Sequence, residues 1–304
     1  MIFEYLAILR RRSDSGPKLE RLPLALGTIL TNGRTTTLAR VCDSHLNRRE
    51  LIITAGLVAA AAAATTIGIS SATGSAAPAT VVLPVQVAPG LFVLPRDCWG
   101  ADLPPRRAID AETVQFLLVH HTASSNTYPS GGARDVIRSA YAFHTSAAKG
   151  WADVCYEFFI DHDGVVYEGR DGALAGPVRA DATGGSQGFA QLVCLVGDFT
   201  DTDPTAAMTD SLVRVLAWLA DRYAVDTAPG AMTTFVSRGS QRYRAGVEVT
   251  TPTIAGHRDM SYTECPGDRV YAGLTGGLRE QVHAQRAAWR GALLQAERLG
   301  PTMP

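Results

Sequence analysis

The sequence predicts an α/β fold in which a mixed central β-sheet is flanked by helices. Residues 116–119 form a short, continuous apolar run, which is typical of a buried central strand. Residues 154–161 and 165–168 are strand-like, and the Asp161-His162-Asp163-Gly164 turn between them predicts a hairpin. From Thr209 onward, apolar residues recur with the spacing of an amphipathic helix. Strand and helix signals therefore alternate, as they do in a layered α/β domain.

Other segments complete one domain with extensions at both ends. Four have the composition of regular elements or loops: a helix over 134–148 with His144 on its apolar face, a strand over 192–196, a loop or small hairpin over 233–251, and a helix over 274–299. The chain accordingly divides into five parts: a poorly structured leader (1–47), an export signal (48–79), a linker (80–95), the folded domain (96–280), and a C-terminal helix and tail (281–304).

The predicted export signal begins with two arginines. Arg48 and Arg49 precede a weakly hydrophobic run over 51–69, and small residues that suit signal cleavage follow it. This pattern favours a twin-arginine signal and a secreted or cell-wall-associated protein. The alternative is a membrane anchor with an extracytoplasmic domain, because the run is just long enough to span a bilayer. A leader in front of such a signal is unusual, so one hypothesis is that translation starts near Val41.

The charge distribution argues against a nucleic-acid partner. The 304-residue chain has a formal net charge of -1. Residues 1–50 hold nine Lys or Arg and five Asp or Glu, which leaves 19 basic and 24 acidic residues for the rest. A mildly acidic body lacks the clustered positive charge that nucleic-acid binding requires. We expect a monomer with no membrane segment in its mature form.

Five cysteines predict a fold that does not depend on disulfides. Cys42 lies before the predicted cleavage site, and Cys265 is a candidate metal ligand. Only Cys98, Cys155 and Cys194 then remain, so at most one bridge can form among them. Buried thiols are expected as often as a bridge.

Histidine and cysteine side chains supply a candidate metal site. His120 and His121 follow the apolar run at 116–119, and His257 lies eight residues before Cys265. Three protein ligands with an open fourth position are typical of catalytic zinc, whereas structural zinc usually has four. Adjacent strand residues point to opposite faces, so only one of the paired histidines can enter the site. The alternative is that these imidazoles are structural, with ring nitrogens that bond backbone groups.

Several motifs in one order resemble a known family. They are Trp99-Gly100-Ala101, Val119-His120-His121-Thr122-Ala123, Gly150-Trp151-Ala152-Asp153-Val154-Cys155-Tyr156-Glu157-Phe158, Tyr167-Glu168-Gly169-Arg170, Gly197-Asp198-Phe199, Gly256-His257-Arg258-Asp259 and Thr263-Glu264-Cys265-Pro266-Gly267-Asp268. In this order they resemble the peptidoglycan recognition proteins and the type 2 N-acetylmuramoyl-L-alanine amidases, including phage lysozyme-type amidases. The similarity covers residues 96–279. It implies the same mixed sheet with flanking helices, with zinc (Zn2+) at the floor of a groove.

The resemblance also implies an activity and its site residues. The activity is zinc-dependent hydrolysis of the lactyl amide bond between N-acetylmuramic acid and L-alanine in peptidoglycan. The family's zinc ligands fall on His120, His257 and Cys265. Its catalytic tyrosine falls on Tyr156, and its second polar catalytic group falls on Thr263. In such a site, zinc polarises the amide carbonyl and acidifies the attacking water.

The expected partner is the muramyl peptide of peptidoglycan, and here the chain departs from the family pattern. Trp151 and Gln187 are the implied substrate-binding residues. Ala182 stands where a histidine is common, and Gln187 stands where an asparagine is common. A groove without that imidazole loses a hydrogen bond, so the alternative function is a non-catalytic or weakly catalytic peptidoglycan-binding module.

Cys155 and Glu157 flank Tyr156 in the sequence. Cys155 replaces a usual glycine, which predicts a change in packing. Glu157 is a tempting general base, but strand alternation turns it away from the face that Tyr156 uses. No general base is assigned.

Overall fold

The computed structural model describes residues 82–184 and 188–299. The predicted leader, export signal and Gln187 lie outside the described residues, as do the first two residues of the predicted linker. Within the described ranges, no helix combines the length and apolar character that crossing a bilayer requires.

A seven-stranded mixed sheet forms the centre of the domain, as predicted. Its strands are β1 (Val85–Ala88), β2 (Leu91–Leu94), β3 (Phe116–His121), β4 (Phe158–Ile160), β5 (Val166–Glu168), β6 (Ala190–Leu195) and β9 (Ile254–Gly256). They lie in the order β1-β2-β5-β4-β6-β3-β9. β4 and β5 pair antiparallel through the predicted hairpin, whereas β6, β3 and β9 run parallel to one another. The parallel part carries the apolar run at 116–119.

Helices cover both faces of the sheet. They are α1 (Asp97–Gly100), α2 (Ala133–His144), α3 (Ala206–Arg222), α4 (His257–Met260), α5 (Asp268–Gly273) and α6 (Arg279–Leu299), and a separate hairpin joins β7 (Met232–Val236) to β8 (Glu248–Pro252). Leu216 of α3 and Val282 of α6 pack in one buried cluster with Val119. On the opposite face, α1 and α2 pack in one cluster and the β7–β8 hairpin in another.

The folded domain begins earlier than predicted. Residues 85–88 and 91–94, which were predicted to belong to a linker over 80–95, form strands β1 and β2. β2 is an inner strand of the sheet, and its Val93 is fully buried opposite Val166 of β5. β1 pairs antiparallel with β2 and forms the edge. β1 and β2 form a hairpin through Pro89-Gly90, whereas the other partner of β2, the strand β5, lies some seventy residues away.

The predicted C-terminal helix is present as α6, but it begins at Arg279, before the predicted division at residue 280, and packs on the domain. Val282 is completely buried. Arg286 and Arg290 both form ion pairs with Asp221 of α3. The helix therefore packs against α3 along its first three turns and is not a separate extension.

Helix ends differ from the predictions where side chains cap them. Thr205 caps α3, since its Oγ1 accepts a hydrogen bond from the Met208 amide at 3.1 Å, so the helix starts before the predicted Thr209. α2 ends at His144 instead of residue 148, because Thr145 leaves helical geometry with a φ of -89° and a ψ of 1°, and the Ser146 amide bonds the Phe143 carbonyl three residues back at 3.2 Å. Residues 274–278, predicted as the start of the last helix, form a π-helical segment in which Gly277 has a φ of +125°.

The described cysteines do not bridge one another. Cys155, Cys194 and Cys265 are buried free thiols. Cys98 is in a disulfide, but its partner is none of these three. The predicted buried thiols are therefore present in the core around the candidate metal site.

Candidate metal centre

The ends of two parallel strands bring a pair of histidines together. Val119 of β3 lies opposite Gly256 of β9. The next residue on each chain is a histidine, and the ring centroids of His120 and His257 are 4.4 Å apart. Because parallel strands end at the same edge of a sheet, residues 137 positions apart meet there.

Cys265 joins them from the loop between α4 and α5. Its Sγ lies 3.5 Å from Nδ1 of His120 and accepts the His121 amide hydrogen at 3.4 Å. The candidate ligand atoms of His120, His257 and Cys265 all lie within 4.8 Å of one another. The loop needs glycine at position 267, because its φ is +88° and a Cβ there would overlap the Phe199 carbonyl.

The donor set fits a tetrahedral zinc ion. Zinc–sulphur and zinc–nitrogen bonds of about 2.3 and 2.0 Å at a tetrahedral angle place the two ligand atoms about 3.5 Å apart. The observed separation between Cys265 Sγ and His120 Nδ1 is 3.5 Å. His120 is completely buried, and its Nε2 lacks a hydrogen-bond partner in the part of the chain that is described. The separation between Nδ1 of His120 and the Cys265 sulphur is thus the one that a shared tetrahedral ion would require.

His121 points away from this cluster. Its Nδ1 accepts the Phe199 amide hydrogen at 3.3 Å and lies 3.8 Å from a carboxylate oxygen of Asp198. The two histidines therefore occupy opposite faces of β3. This arrangement resolves the choice that residue spacing left open and places His120 in the cluster.

The site holds neutral imidazoles and a protonated thiol. Burial lowers the pKa of His257 to about 4 and that of His120 well below its usual value. Burial raises the pKa of the Cys265 thiol to about 12, although the His121 amide and the Arg258 charge oppose this shift. The imidazoles are thus ready to bind a cation, and the thiol must lose its proton to do so.

Tyr156 lies beside the histidine pair. Its ring centroid is 5.0 Å from that of His120, and Phe159 packs edge-on against it at 5.4 Å. Burial raises the pKa of the phenol well above its usual value. Tyr156 is therefore a neutral hydrogen-bond donor next to the candidate ligands.

Thr263 belongs to the loop that presents Cys265. Its Oγ1 accepts the Cys265 amide hydrogen at 3.2 Å, which leaves the hydroxyl hydrogen available to another acceptor. Thr263 also lines an open cleft of about 560 Å³ with Arg242, Arg258 and Tyr262. That cleft is lined by none of the three candidate ligands, so we place the reactive centre at the ligands and not in the cleft.

Glu157 lies outside this group. Its Oε2 accepts the Leu192 amide hydrogen at 2.7 Å, and its charged neighbours are Arg170 and Asp181. Burial raises the pKa of the carboxyl to about 8. These contacts agree with the expectation that it turns away from Tyr156.

Aromatic rings connect Trp151 to the candidate metal centre. The Trp151 ring lies 5.0 Å from His144, which lies 5.7 Å from Tyr156. The Lys149 ammonium sits 5.2 Å from the Trp151 ring centroid. Ala182 is half-buried beside the cluster that Tyr156 contacts, and its methyl group offers no hydrogen bond.

Sequence reasoning underestimated His144 and Cys155. The Cys155 amide donates to Nδ1 of His144 at 3.3 Å, and the Cys155 thiol lies 3.5 Å from Nε2 of the same ring. The sequence did place His144 on the apolar face of α2. It contained no signal that this face meets the segment carrying Tyr156.

Comparison with known proteins identifies the family. The model of the family described as N-acetylmuramoyl-L-alanine amidase matches residues 110–268, just over half of the chain. Peptidoglycan-recognition protein SC2 of Drosophila melanogaster is 25% identical over 191 residues, which cover 63% of this chain and 89% of that protein. Human N-acetylmuramoyl-L-alanine amidase is 32% identical over 185 residues, which cover 58% of this chain but only 27% of the human protein.

One solved structure is also similar to part of this chain. Peptidoglycan recognition protein LE, in complex with tracheal cytotoxin, is 22% identical with a TM-score of 0.45, over 60% of this chain and 92% of that one. The relatives include both named amidases and named recognition proteins. The chain therefore belongs to the family of type 2 N-acetylmuramoyl-L-alanine amidases and peptidoglycan recognition proteins.

Proposed function

We propose that this protein is a zinc-dependent N-acetylmuramoyl-L-alanine amidase that cleaves the lactyl amide bond of peptidoglycan. The observation that carries the proposal is the convergence of His120, His257 and Cys265 within 4.8 Å, with Tyr156 beside them. Three protein ligands leave a coordination position open, which a catalytic site requires and a structural site lacks.

The protein's own side chains have separable roles in this proposal. His120, His257 and Cys265 hold the ion. When bound, zinc supplies polarisation of the amide carbonyl and a lower pKa for water. Tyr156, neutral because burial raises its pKa, donates a hydrogen bond to the carbonyl oxygen as that atom gains negative charge. Thr263 holds the Cys265 loop through the amide hydrogen bond and directs its own hydroxyl hydrogen towards substrate or water.

The proposed partner is the muramyl peptide of peptidoglycan. Trp151 supports this role, because its ring joins the row of rings that ends at His120. Gln187, the other proposed substrate contact, lies outside the described residues. Export through the Arg48-Arg49 signal would deliver the protein to the compartment that contains peptidoglycan, and a membrane anchor is the alternative.

Digestion of purified peptidoglycan tests the activity. We expect the zinc-loaded protein to release free L-alanine amino termini and a chelator to abolish the release. Cys265→Ala removes a ligand and is expected to lose both bound zinc and activity. Tyr156→Phe is expected to keep zinc and to lose roughly a hundredfold to a thousandfold in kcat.

A matched control tests whether the loss of kcat is specific to the Tyr156 hydroxyl or follows from removing any tyrosine hydroxyl. Tyr128 donates to the Val196 carbonyl at 3.2 Å and accepts the His162 amide hydrogen, so Tyr128→Phe also removes buried hydrogen bonds. We expect it to retain kcat. Full activity of Tyr156→Phe would show that the assigned role is wrong.

A peptidoglycan-binding module is the second candidate, and Ala182 favours it. A methyl group stands at a position where a polar side chain would bond substrate. Sedimentation of the protein with insoluble peptidoglycan, without chelator-sensitive release of amino termini, would support this candidate over the amidase.

A further inference from the structure

A thiol contacts a buried imidazole that packs against the proposed catalytic phenol. Cys155 is completely buried, and its Sγ is 3.5 Å from Nε2 of His144. Burial lifts the pKa of the Tyr156 phenol well above its usual value. The Cys155 thiol therefore contacts the imidazole that packs against this phenol.

Cys155 also determines which nitrogen of His144 carries the hydrogen. Its amide donates to Nδ1 at 3.3 Å, and a nitrogen that accepts a hydrogen bond carries none of its own. Burial lowers the pKa of His144 to about 4, so the ring is neutral near pH 7. The single ring hydrogen is then on Nε2 and faces the Cys155 sulphur.

The His144 ring joins two parts of the site. It is the last residue of α2, which packs on the sheet. Trp151 lies 5.0 Å from one side of the ring, and Tyr156 meets it at 5.7 Å with an interplanar angle of 76°. The His144 ring therefore packs against both Trp151 and Tyr156.

We propose that Cys155 is a positioning residue: its amide and thiol fix the tautomer and orientation of His144, whose ring packs edge-on against Tyr156 beside the candidate metal centre. A glycine at this position has the amide but lacks the thiol. The catalytic consequence rests on the proposed function, whereas the hydrogen bonds of His144 are a property of the folded chain.

The choice of substitutions separates positioning from packing. Cys155→Ala keeps an apolar side chain and the amide hydrogen bond but removes the thiol contact with Nε2 of His144, whereas Cys155→Ser keeps a hydrogen-bonding group in an apolar site. A packing role makes Ala the better substitute. A positioning role makes Ser the better substitute, with kcat within about threefold of wild type, while Ala loses roughly tenfold or more in kcat with little change in KM.

Nitrogen-15 spectra of the histidine rings provide a readout that does not depend on activity. In the zinc-loaded wild type, the His144 signal, assigned by its loss in His144→Gln, is expected to show hydrogen on Nε2 only. The Nε2 hydrogen is expected to exchange with water faster in Cys155→Ala than in Cys155→Ser. Val154→Ala, which shortens a completely buried neighbour that has no polar group, is the control and should leave ring exchange and kcat unchanged.

Two results would overturn the inference. One is hydrogen on Nδ1 of His144 in the wild type. The other is wild-type kcat and ring exchange in Cys155→Ala, together with a slower Cys155→Ser. If the wild type cleaves no peptidoglycan, the amidase proposal fails, but the ring spectra of wild type and Cys155→Ser still decide whether Cys155 holds His144. Those two spectra also suffice if Cys155→Ala does not fold.

Discussion

Glu157 is a buried carboxyl group whose protonation makes stability depend on pH. Its side chain is completely buried, and Oε2 accepts the Leu192 amide hydrogen at 2.7 Å. Oε1 has no hydrogen-bond partner among the described residues. Burial raises the pKa of the carboxyl from 4.5 to about 8, although Arg170 and backbone hydrogen bonds oppose the shift. The folded protein therefore carries a neutral Glu157 at pH 7.

The sign and size of the effect follow from linkage. Above pH 4.5 the unfolded chain releases this proton, whereas the folded chain keeps it until the pH reaches about 8. The folded state binds more protons across that window, so the free energy of unfolding falls as pH rises, by about 1.4 kcal/mol per unit. Between pH 4.5 and 7 the loss reaches about 3 kcal/mol. Above pH 8 no further loss arises from this group.

Glu157→Gln is expected to remove this loss. The carboxamide is neutral at every pH and keeps an oxygen that can accept the Leu192 amide hydrogen. We expect the variant to match wild type near pH 4.5 and to be more stable by about 3 kcal/mol at pH 7. Urea unfolding from pH 4.5 to 8.5 measures the difference.

The control is the same substitution at an exposed site. Glu248→Gln, on the exposed side of β8, is expected to give an unfolding profile parallel to that of wild type. A parallel profile for Glu157→Gln would refute the reasoning, because it would mean that the buried carboxyl does not change its pKa on folding. The variant should also retain the proposed amidase activity, since the hydrogen bond and charged neighbours of Glu157 do not involve the candidate ligands.

Three further predictions concern the buried ion pair, the helix contact and the metal. Arg96→Ala leaves Asp153 as a completely buried carboxylate without its bidentate partner, so we expect a loss of about 3–5 kcal/mol in urea unfolding; a loss below about 1 kcal/mol would contradict this account. Asp221→Asn removes half-exposed ion pairs and should cost less than about 1 kcal/mol, a difference that disappears in high salt. Because the apo Cys265 thiol has a pKa of about 12 and His257 one of about 4, zinc affinity between pH 5 and 8 should rise about tenfold per unit; an indicator competition that finds no slope would refute this.

Structural elements that depend on neighbouring residues in the chain were predicted correctly. The apolar run at 116–119 lies in β3, and the turn at 161–164 joins β4 to β5 as a hairpin. In both cases a few adjacent residues determine the local structure through side-chain burial or turn conformation. The same is true of the amphipathic spacing in α3, although its N-cap proved to be Thr205.

Structural elements that depend on residues far away in the chain were not predicted correctly. β2 is an inner strand only because β5, more than seventy residues later, pairs with it. Read alone, its four residues between two prolines resemble an extended linker. α6 was divided at residue 280 for a similar reason, since its contact with Asp221 depends on how α3 lies on the sheet. Tertiary packing determines the placement of both elements, and a local sequence pattern does not reveal that packing.

The candidate site has some features that the sequence predicts and others that only tertiary packing reveals. Spacing could not choose between His120 and His121, because strand alternation says only that they point to opposite faces. The choice depends on which face of β3 meets Cys265, and this follows from the register that sets Val119 against Gly256. The contact between Cys155 and His144 also depends on tertiary packing. Its two residues meet only when α2 packs on the sheet, which brings the last residue of α2 to the segment before β4. The sequence motifs therefore identify the candidate ligands. The groups that position those ligands and the Tyr156 phenol can be identified only from the packing of helices against the sheet.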